Sequence, residues 1–278
     1  MRRFPVLLPL LAPVAVLFAI AGERGADAAV SNWTGGPNVR VRLVATAPTA
    51  GGGPNAAIEL ELAPGWHTYW RTPGEVGIPP TFDFSDSSNL RHATVGFPPP
   101  QRLDDGFAIT NIYTGRVVFP LTVEPVDPSR PVALAMKLDL GVCEEVCIPA
   151  TLEASVTLEP GDDPEAAAVV AEAAGRLPGA ARAGTFEIAG IERTDGDDVE
   201  PVFEFRARVP DPEATEIFVE GPSDWYPDVP QAVGRDGDAV VYRVSFDRLG
   251  AKTPMAGAPI RFTVVSGGQA IEETVTLD

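Results

Sequence analysis

The sequence of 278 residues contains little cysteine, histidine or lysine. It has two cysteines and two histidines, and its only lysines are Lys137 and Lys252. Acidic side chains number 39 against 21 basic ones, which gives a formal net charge of −18 at pH 7. Nucleic acids and anionic membrane surfaces are bound through basic patches, so neither is an expected partner. Two cysteines are also too few for a disulfide scaffold.

Long apolar runs are lacking after the N-terminus. Arg2 and Arg3 precede an apolar run over about residues 6–20, and small residues follow up to Ala28. This order is typical of a secretory signal peptide, and we expect cleavage after Ala28, with residues 1–28 removed. The alternative is an uncleaved membrane anchor. The run is shorter than the roughly 20 residues that span a bilayer, and prolines at its start and within it, Pro5, Pro9 and Pro13, break helical continuity.

Helical patterns are scarce as well. Only residues 164–177, with proline first and an Ala/Glu-rich interior, predict a helix. Short alternating runs between Gly, Pro, Asp and Asn predict strands over residues 39–44, 57–62, 117–123, 132–140, 152–158, 185–191, 202–209, 216–220, 240–246, 260–265 and 271–277. Such spacing is typical of β-sandwiches.

The predicted fold is therefore all-β, with two immunoglobulin-like β-sandwiches joined by a short helical linker. The expected boundaries are 30–160 for the first sandwich, 161–183 for the linker and 184–278 for the second sandwich. The second sandwich has no cysteine and no histidine, so we expect it to have a structural or partner-binding role.

The chemistry of the chain is concentrated at Cys143 and Cys147. Alternating apolar residues precede and follow the pair, which predicts a hairpin whose loop lies between the two cysteines. In a continued strand the two residues would be about 13 Å apart, at roughly 3.3 Å per residue, so a disulfide requires a tight turn.

Three interpretations of the pair remain open on spacing alone. The disulfide could staple the hairpin, although closing so small a loop contributes only about 2 kcal/mol. It could undergo reversible thiol–disulfide exchange. The third interpretation is a metal site, but two thiolates are too few for structural zinc, and His67 and His92 are not at ligand spacing from them. Glu144 and Glu145 lie between the cysteines, and their negative charges would disfavour a thiolate. The alternative is that both are simply part of a solvated loop.

Three ordered motifs carry a family resemblance. Residues 65–74 read Gly-Trp-His-Thr-Tyr-Trp-Arg-Thr-Pro-Gly, residues 113–120 read Tyr-Thr-Gly-Arg-Val-Val-Phe-Pro, and residues 143–149 read Cys-Glu-Glu-Val-Cys-Ile-Pro. Over about residues 35–160 the chain resembles the periplasmic N-terminal domain of DsbD-type and ScsB-type thiol:disulfide interchange proteins. The short cysteine spacing resembles that of the ScsB-like members.

The resemblance implies a periplasmic electron relay in which Cys143 and Cys147 are the redox-active residues. Their electrons would come from a membrane-embedded thiol reductase and pass to thioredoxin-like or isomerase-type acceptors, without a cofactor or a bound metal. Because the chain shows neither a multi-span membrane domain nor a thioredoxin-like domain, we expect both partners to be separate chains. By family position Cys147 corresponds to the cysteine that engages partners, and Cys143 to the resolving cysteine. A non-enzymatic binding module and a copper-tolerance protein are the alternatives.

The resemblance also implies a cap loop that shields the cysteines. The matching residues are Asp104, Asp105 and Phe107, with Tyr113 close by, and Phe107 is the expected lid. The alternative for Phe107 is an ordinary buried aromatic. For the aromatic residues Trp66, Tyr69 and Trp70 we expect packing rather than a catalytic role, because large aromatics dominate core burial.

Overall fold

The computed structural model describes residues 30–46, 53–158 and 163–278. The predicted signal peptide, residues 1–28, lies outside these ranges. The first part of the fold contains strands β1 (Thr34–Gly35), β2 (Val39–Ala45), β3 (Ala56–Leu62), β4 (His67–Gly74), β5 (Thr81–Asp83), β6 (Leu90–Val95), β7 (Gln101–Asp104), β8 (Ile109–Thr114), β9 (Arg116–Pro125), β10 (Val132–Cys143) and β11 (Cys147–Leu158).

The remainder begins with helix α1 (Pro164–Gly175). It continues with β12 (Gly179–Ala180), β13 (Glu187–Asp195), β14 (Val202–Arg208), a 3-10 turn (Pro212–Ala214), β15 (Thr215–Glu220), β16 (Tyr226–Pro227), β17 (Gln231–Asp236), β18 (Ala239–Asp247), β19 (Pro259–Ser266) and β20 (Gln269–Thr276). Within the described ranges, no helix combines the length and apolar character needed to cross a membrane.

The strands form two sandwiches, so the predicted all-β fold is confirmed. In the first sandwich a sheet of order β1-β2-β3-β9-β6 faces one of order β11-β10-β4-β8-β7, and β5 pairs with β10. In the second, a sheet of order β12-β20-β19-β15 faces one of order β13-β14-β18-β16, and β17 pairs with β18. Each sandwich encloses its own cluster of buried side chains.

Strand β3 shows how the first sandwich is covered on both sides. Successive side chains of a strand point to opposite faces, and Ile58 and Leu60 point into the core between the sheets. Ala57 on the outer face lies beneath α1. Glu59, on that same outer face, is fully buried and binds the guanidinium groups of Arg42 and Arg116. These contacts explain why almost the whole strand is buried.

The segment expected as a linker is divided between the sandwiches. Helix α1 starts at the N-cap Asp163, whose carboxylate accepts hydrogen bonds from the amides of Glu165 and Ala166. Its buried face, Ala166, Val170 and Ala173, packs on the outer face of the first sandwich. Strand β12 adds to the second sandwich by pairing with β20. The boundaries 30–160, 161–183 and 184–278 remain predictions, but the segment between the sandwiches is packed on both.

We expect the Val170→Asp substitution to detach α1, because Val170 is 4% exposed and a buried carboxylate without a partner is strongly unfavourable. The free energy of unfolding should fall by about 2 kcal/mol or more in urea titrations. Ala171→Asp, one residue further on and exposed, is the matched control and should unfold like the parent. Equal stability of the two variants would contradict the packing role of α1.

Candidate functional site

The two cysteines face each other at the end of the β10–β11 hairpin. The strands pair without interruption from Val132 and Leu158 to Cys143 and Cys147, and residues 144–146 form the turn. The cysteines are joined by a disulfide, with their Cα atoms 4.1 Å apart. The predicted hairpin and its tight turn are confirmed, and β10 and β11 extend to the cysteines themselves.

The two halves of the disulfide differ in exposure. Cys143 is 2% exposed and packs against Tyr69 and Ile112. Cys147 is exposed, as are the turn residues before it. Cys147 is therefore the member of the pair that lies at the surface, whereas Cys143 lies in the interior.

Strand β4 brings one hydroxyl group to both sulfurs. It pairs with the last residues of β10, Val142 with Thr68 and Cys143 with His67. The Oη of Tyr69 lies 3.1 Å from Sγ of Cys143 and 3.2 Å from Sγ of Cys147. Because disulfide sulfurs carry no proton, the tyrosine hydroxyl is the donor in both contacts. After reduction the same hydroxyl is placed to donate to a thiolate, which is the stronger type of hydrogen bond.

Two glycines leave room for the ring of Tyr69. A Cβ atom placed on Gly77 would lie 2.5 Å from two carbons of the ring, and one on Gly141 would lie 3.4 Å from it. Gly77 also has a φ of +125°, a conformation that other residues rarely adopt. The ring is thus confined between β10 and the loop that follows β4, and this confinement directs the hydroxyl to the sulfurs.

His67 and Asp105 determine the charge around Tyr69. The imidazole of His67 meets the Tyr69 ring edge-on, with centroids 5.7 Å apart. Burial lowers the pKa of His67, although the carboxylate of Asp105 acts in the opposite direction. Burial, and secondarily Asp105, raises the pKa of Tyr69, so its hydroxyl keeps its proton at neutral pH. The site near the sulfurs therefore holds a neutral imidazole and a neutral phenol.

The expected cap loop joins β7 to β8 beside this cluster. Its turn is ordered by carboxylates, since Asp104 accepts from the amide of Gly106 and Asp105 accepts from the amides of Phe107 and Ala108. The hydrogen bonds from the amides of Ala108 and Phe107 lower the pKa of Asp105. Phe107 is 88% exposed, so its ring neither covers the disulfide in this structure nor forms the buried aromatic considered above.

Tyr113 is placed differently from the other expected shielding residues. It is 5% exposed in the core of the first sandwich, and its hydroxyl donates to the carbonyl of Pro98 at 2.6 Å. It pairs with Thr68, one residue from the position opposite Cys143, so its side chain points to the other face of the sheet. The structure brings Asp105 close to the disulfide neighbourhood but not Tyr113.

The sequence predicts only a packing role for Tyr69, but the structure places its hydroxyl against both sulfurs. Trp70 and Trp66 do pack on the core, and the ring of Tyr69 is buried as well, but its hydroxyl is directed to the sulfurs. The only sequence signal for this contact was the position of Tyr69 in the motif of residues 65–74. In the described residues, no group of three or more His, Cys, Asp or Glu side chains is arranged to hold a metal ion.

These features define a class of protein: an all-β chain of two sandwiches with one surface-accessible disulfide at a hairpin end. Residues 40–159 match the family model described as "Thiol:disulfide interchange protein DsbD, N-terminal". This part of the chain is a domain of the DsbD N-terminal type, as the motifs predicted.

The fold extends beyond that family domain. The chain is similar to the crystal structure of the N-terminal periplasmic domain of ScsB from Proteus mirabilis, with a TM-score of 0.70 and 23% identity. The match covers 90% of this chain and 99% of the other, so the second sandwich is included in the shared fold. A comparison with curated protein sequences finds no significant match.

We expect Tyr69→Phe to slow the attack of the reduced protein on a small disulfide by about threefold at pH 7. Losing the hydrogen bond removes roughly 1.5 kcal/mol of thiolate stabilisation, which lowers the fraction of thiolate. The remaining thiolate is intrinsically more nucleophilic, and this offsets part of the loss in rate. The rate is measured by stopped flow with an aromatic disulfide. Tyr226→Phe, an exposed tyrosine of the second sandwich, is the control and should react at the parental rate.

His67 should make the fold sensitive to acid. Its folded-state pKa is lowered, so the unfolded chain binds the proton more readily. The resulting stability is present above the usual pKa of about 6.5 and is lost as the pH falls through the folded value. In urea titrations between pH 7 and 5, His67→Gln should lose less stability than the parent. His92→Gln, at an exposed position, should follow the parent, and identical slopes for all three proteins would contradict the assignment.

Proposed function

We propose that the chain is a periplasmic thiol–disulfide exchange protein that passes reducing equivalents through Cys143 and Cys147 to partner proteins. The observation that carries the proposal is the unequal exposure of the two cysteines, since Cys147 lies at the surface and Cys143 is buried. A disulfide that only staples a hairpin gains nothing from such asymmetry.

The surface around Cys147 supports a protein partner. Half of the ten large hydrophobic side chains that are strongly exposed in the described residues lie at the hairpin end, in the loop after β4 or in the cap loop: Val76, Ile78, Phe107, Val146 and Ile148. Val146 and Ile148 flank Cys147 in the chain, and Ile78 packs against Gly141 beside the Tyr69 ring. Exposed apolar groups gathered in one place typically mark an interaction surface, and this one has the reactive sulfur within it.

The exchange follows the ordinary chemistry of sulfur. The thiolate of reduced Cys147 attacks a disulfide of the acceptor, which forms a mixed disulfide and releases one acceptor thiolate. The thiolate of Cys143 then attacks the sulfur of Cys147, closing the internal disulfide and releasing the second acceptor thiolate. Two electrons pass to the acceptor, both cysteines are oxidised, and the two thiol protons end on the acceptor at neutral pH.

The cap loop is proposed to belong to this docking surface. Its backbone is ordered by Asp104 and Asp105, and Glu75 ties its end to the loop after β4 by accepting from the amide of Ile109 at 3.0 Å. Phe107 projects from the loop into solvent, where it can contact an incoming protein and can also fold over the sulfurs when no partner is bound.

The proposed partners follow from the family. A membrane-embedded thiol reductase would reduce the pair, and a thioredoxin-like or isomerase-type protein of the periplasm would oxidise it. The solved relative is a periplasmic domain of ScsB, and the N-terminal residues have the composition of a signal peptide. Both observations support the same compartment for this chain.

Trapping of mixed disulfides tests the function and the roles of the two cysteines together. Cys143→Ser leaves Cys147 without its resolving partner, so it should accumulate covalent adducts with periplasmic thioredoxin-like proteins that disappear on reduction. Cys147→Ser retains only the buried thiol and should give at least about tenfold fewer adducts. The adducts are resolved by non-reducing electrophoresis and identified by mass spectrometry.

The double variant Cys143→Ser/Cys147→Ser is the control and should form none. Failure of both single variants to form adducts, together with a midpoint potential below about −300 mV, would show a structural disulfide instead. In that case the chain would be a binding module that uses the disulfide to fix its hairpin.

A further inference from the structure

The second sandwich contacts the strand that carries Tyr69. Trp70, the next residue in β4, is 1% exposed, and its ring lies 5.6 Å from the ring of Phe218 in β15. Phe218 belongs to the second sandwich in sequence, but its side chain is buried in the core of the first. One aromatic side chain therefore joins the two sandwiches directly behind the redox site.

An ion-pair network lies beside this aromatic contact. The guanidinium of Arg71 binds the carboxylate of Glu220 through two nitrogens, with Nη2 to Oε2 at 2.6 Å and Nε to Oε1 at 3.0 Å, and it also binds Glu272. Thr72 donates its hydroxyl to Glu220 at 2.8 Å. Burial alone would lower the pKa of Arg71, but the hydrogen bonds and charges of Glu220 and Glu272 raise it above its ordinary value. Three consecutive residues after Tyr69 thus contact the second sandwich.

Strand β7, which leads into the cap loop, is held by the same part of the second sandwich. Arg102 donates from Nη2 to the backbone carbonyl of Ile217 at 2.8 Å. Its guanidinium lies 4.7 Å above the ring of Phe218, a distance at which a cation and an aromatic ring attract each other. Phe218 is accordingly in contact with β4 through Trp70 and with β7, which leads into the cap loop, through Arg102.

We propose that the second sandwich is a positioning element of the redox centre. Phe218 and Glu220 hold β4 in place, and β4 in turn holds the Tyr69 hydroxyl within hydrogen-bonding distance of both sulfurs. The residues of the second sandwich act through Tyr69 and do not touch the cysteines.

The geometry makes this arrangement sensitive to small displacements. Hydrogen bonds weaken steeply as the distance or the angle departs from its optimum, so a functional group must be held to within about 0.5 Å by the residues behind it. The Tyr69 ring is confined by Gly77 and Gly141 on opposite sides, but its position along the strand depends on β4. Bidentate arginine–carboxylate pairs and buried aromatic contacts fix such positions well.

A double-mutant cycle on the midpoint potential tests the proposal. The interface variant Phe218→Leu/Glu220→Gln changes two residues of β15, whose side chains contact the first sandwich. Tyr69→Phe is introduced into the parent and into this variant, and the dithiol–disulfide equilibrium constant of each protein is measured in glutathione buffers. In the parent, Tyr69→Phe should change that constant by about fivefold, because a hydrogen bond to a thiolate is stronger than one to a neutral disulfide sulfur. In the interface variant the same substitution should change the equilibrium constant by about twofold or less, because the effects of substitutions at coupled residues are not additive.

The matched control is Phe203→Leu/Glu187→Gln, the same two changes elsewhere in the second sandwich. Phe203 is 2% exposed and Glu187 binds Arg208, and neither contacts the first sandwich in the interactions described. In this background Tyr69→Phe should keep its fivefold effect. An effect of equal size in the parent and the interface variant, or none in the parent, would overturn the proposal. If the interface variant lacks a native near-ultraviolet circular dichroism spectrum, Glu220→Gln alone replaces it.

The proposal gives the second sandwich a role within the exchange function proposed above, but its test needs no partner protein. The midpoint potential is measured against glutathione alone. A chain that traps no periplasmic partner can therefore still show the coupling, and a chain that exchanges normally can still lack it.

Discussion

The arrangement of the site depends on the register in which β4 pairs with the end of β10. That register places His67 opposite Cys143 and Thr68 opposite Val142, so Tyr69 lies on the same face of the sheet as the disulfide. A shift of one residue would move the tyrosine to the other face and bury its hydroxyl in the core. The contact of a single hydroxyl with both sulfurs is thus a consequence of strand pairing, and the pairing is maintained by residues on both sides of β4.

Several features of the chain maintain that register. On one side β10 is held by β11 along its full length, and this hairpin fixes the cysteines. On the other side β4 is joined to β8, and its C-terminal half is bound by the second sandwich through Trp70 and Arg71. Glycines at 77 and 141 leave space for the ring. The disulfide and its surroundings are therefore assembled from residues of four strands, one of which, β4, also contacts the second sandwich.

The electrostatic character of the site follows from the same packing. Burial keeps His67 and Tyr69 neutral at pH 7, and Asp105 is the charged group that acts on both. No lysine or arginine in the described residues forms an ion pair with Asp105. A thiolate at Cys147 would consequently be supported by a hydrogen bond more than by a positive charge.

Sequence alone was sufficient for the all-β architecture, the hairpin around Cys143 and Cys147, and the family of residues 40–159, because alternation of apolar residues and short ordered motifs are local properties. It did not predict β4, β7 or β8 as strands, since β4 mixes aromatic, charged and proline residues, β7 has only four residues, and the apolar residues of β8 do not alternate. Phe107 was expected as a lid or as a buried ring, and its exposure depends on how the β7–β8 turn projects from the sheet. The role of Tyr69 and the insertion of Phe218 into the first sandwich were decided only by tertiary structure. Both arise from contacts between residues distant in the chain, 74 positions apart for Tyr69 and Cys143, and no local pattern encodes such a contact.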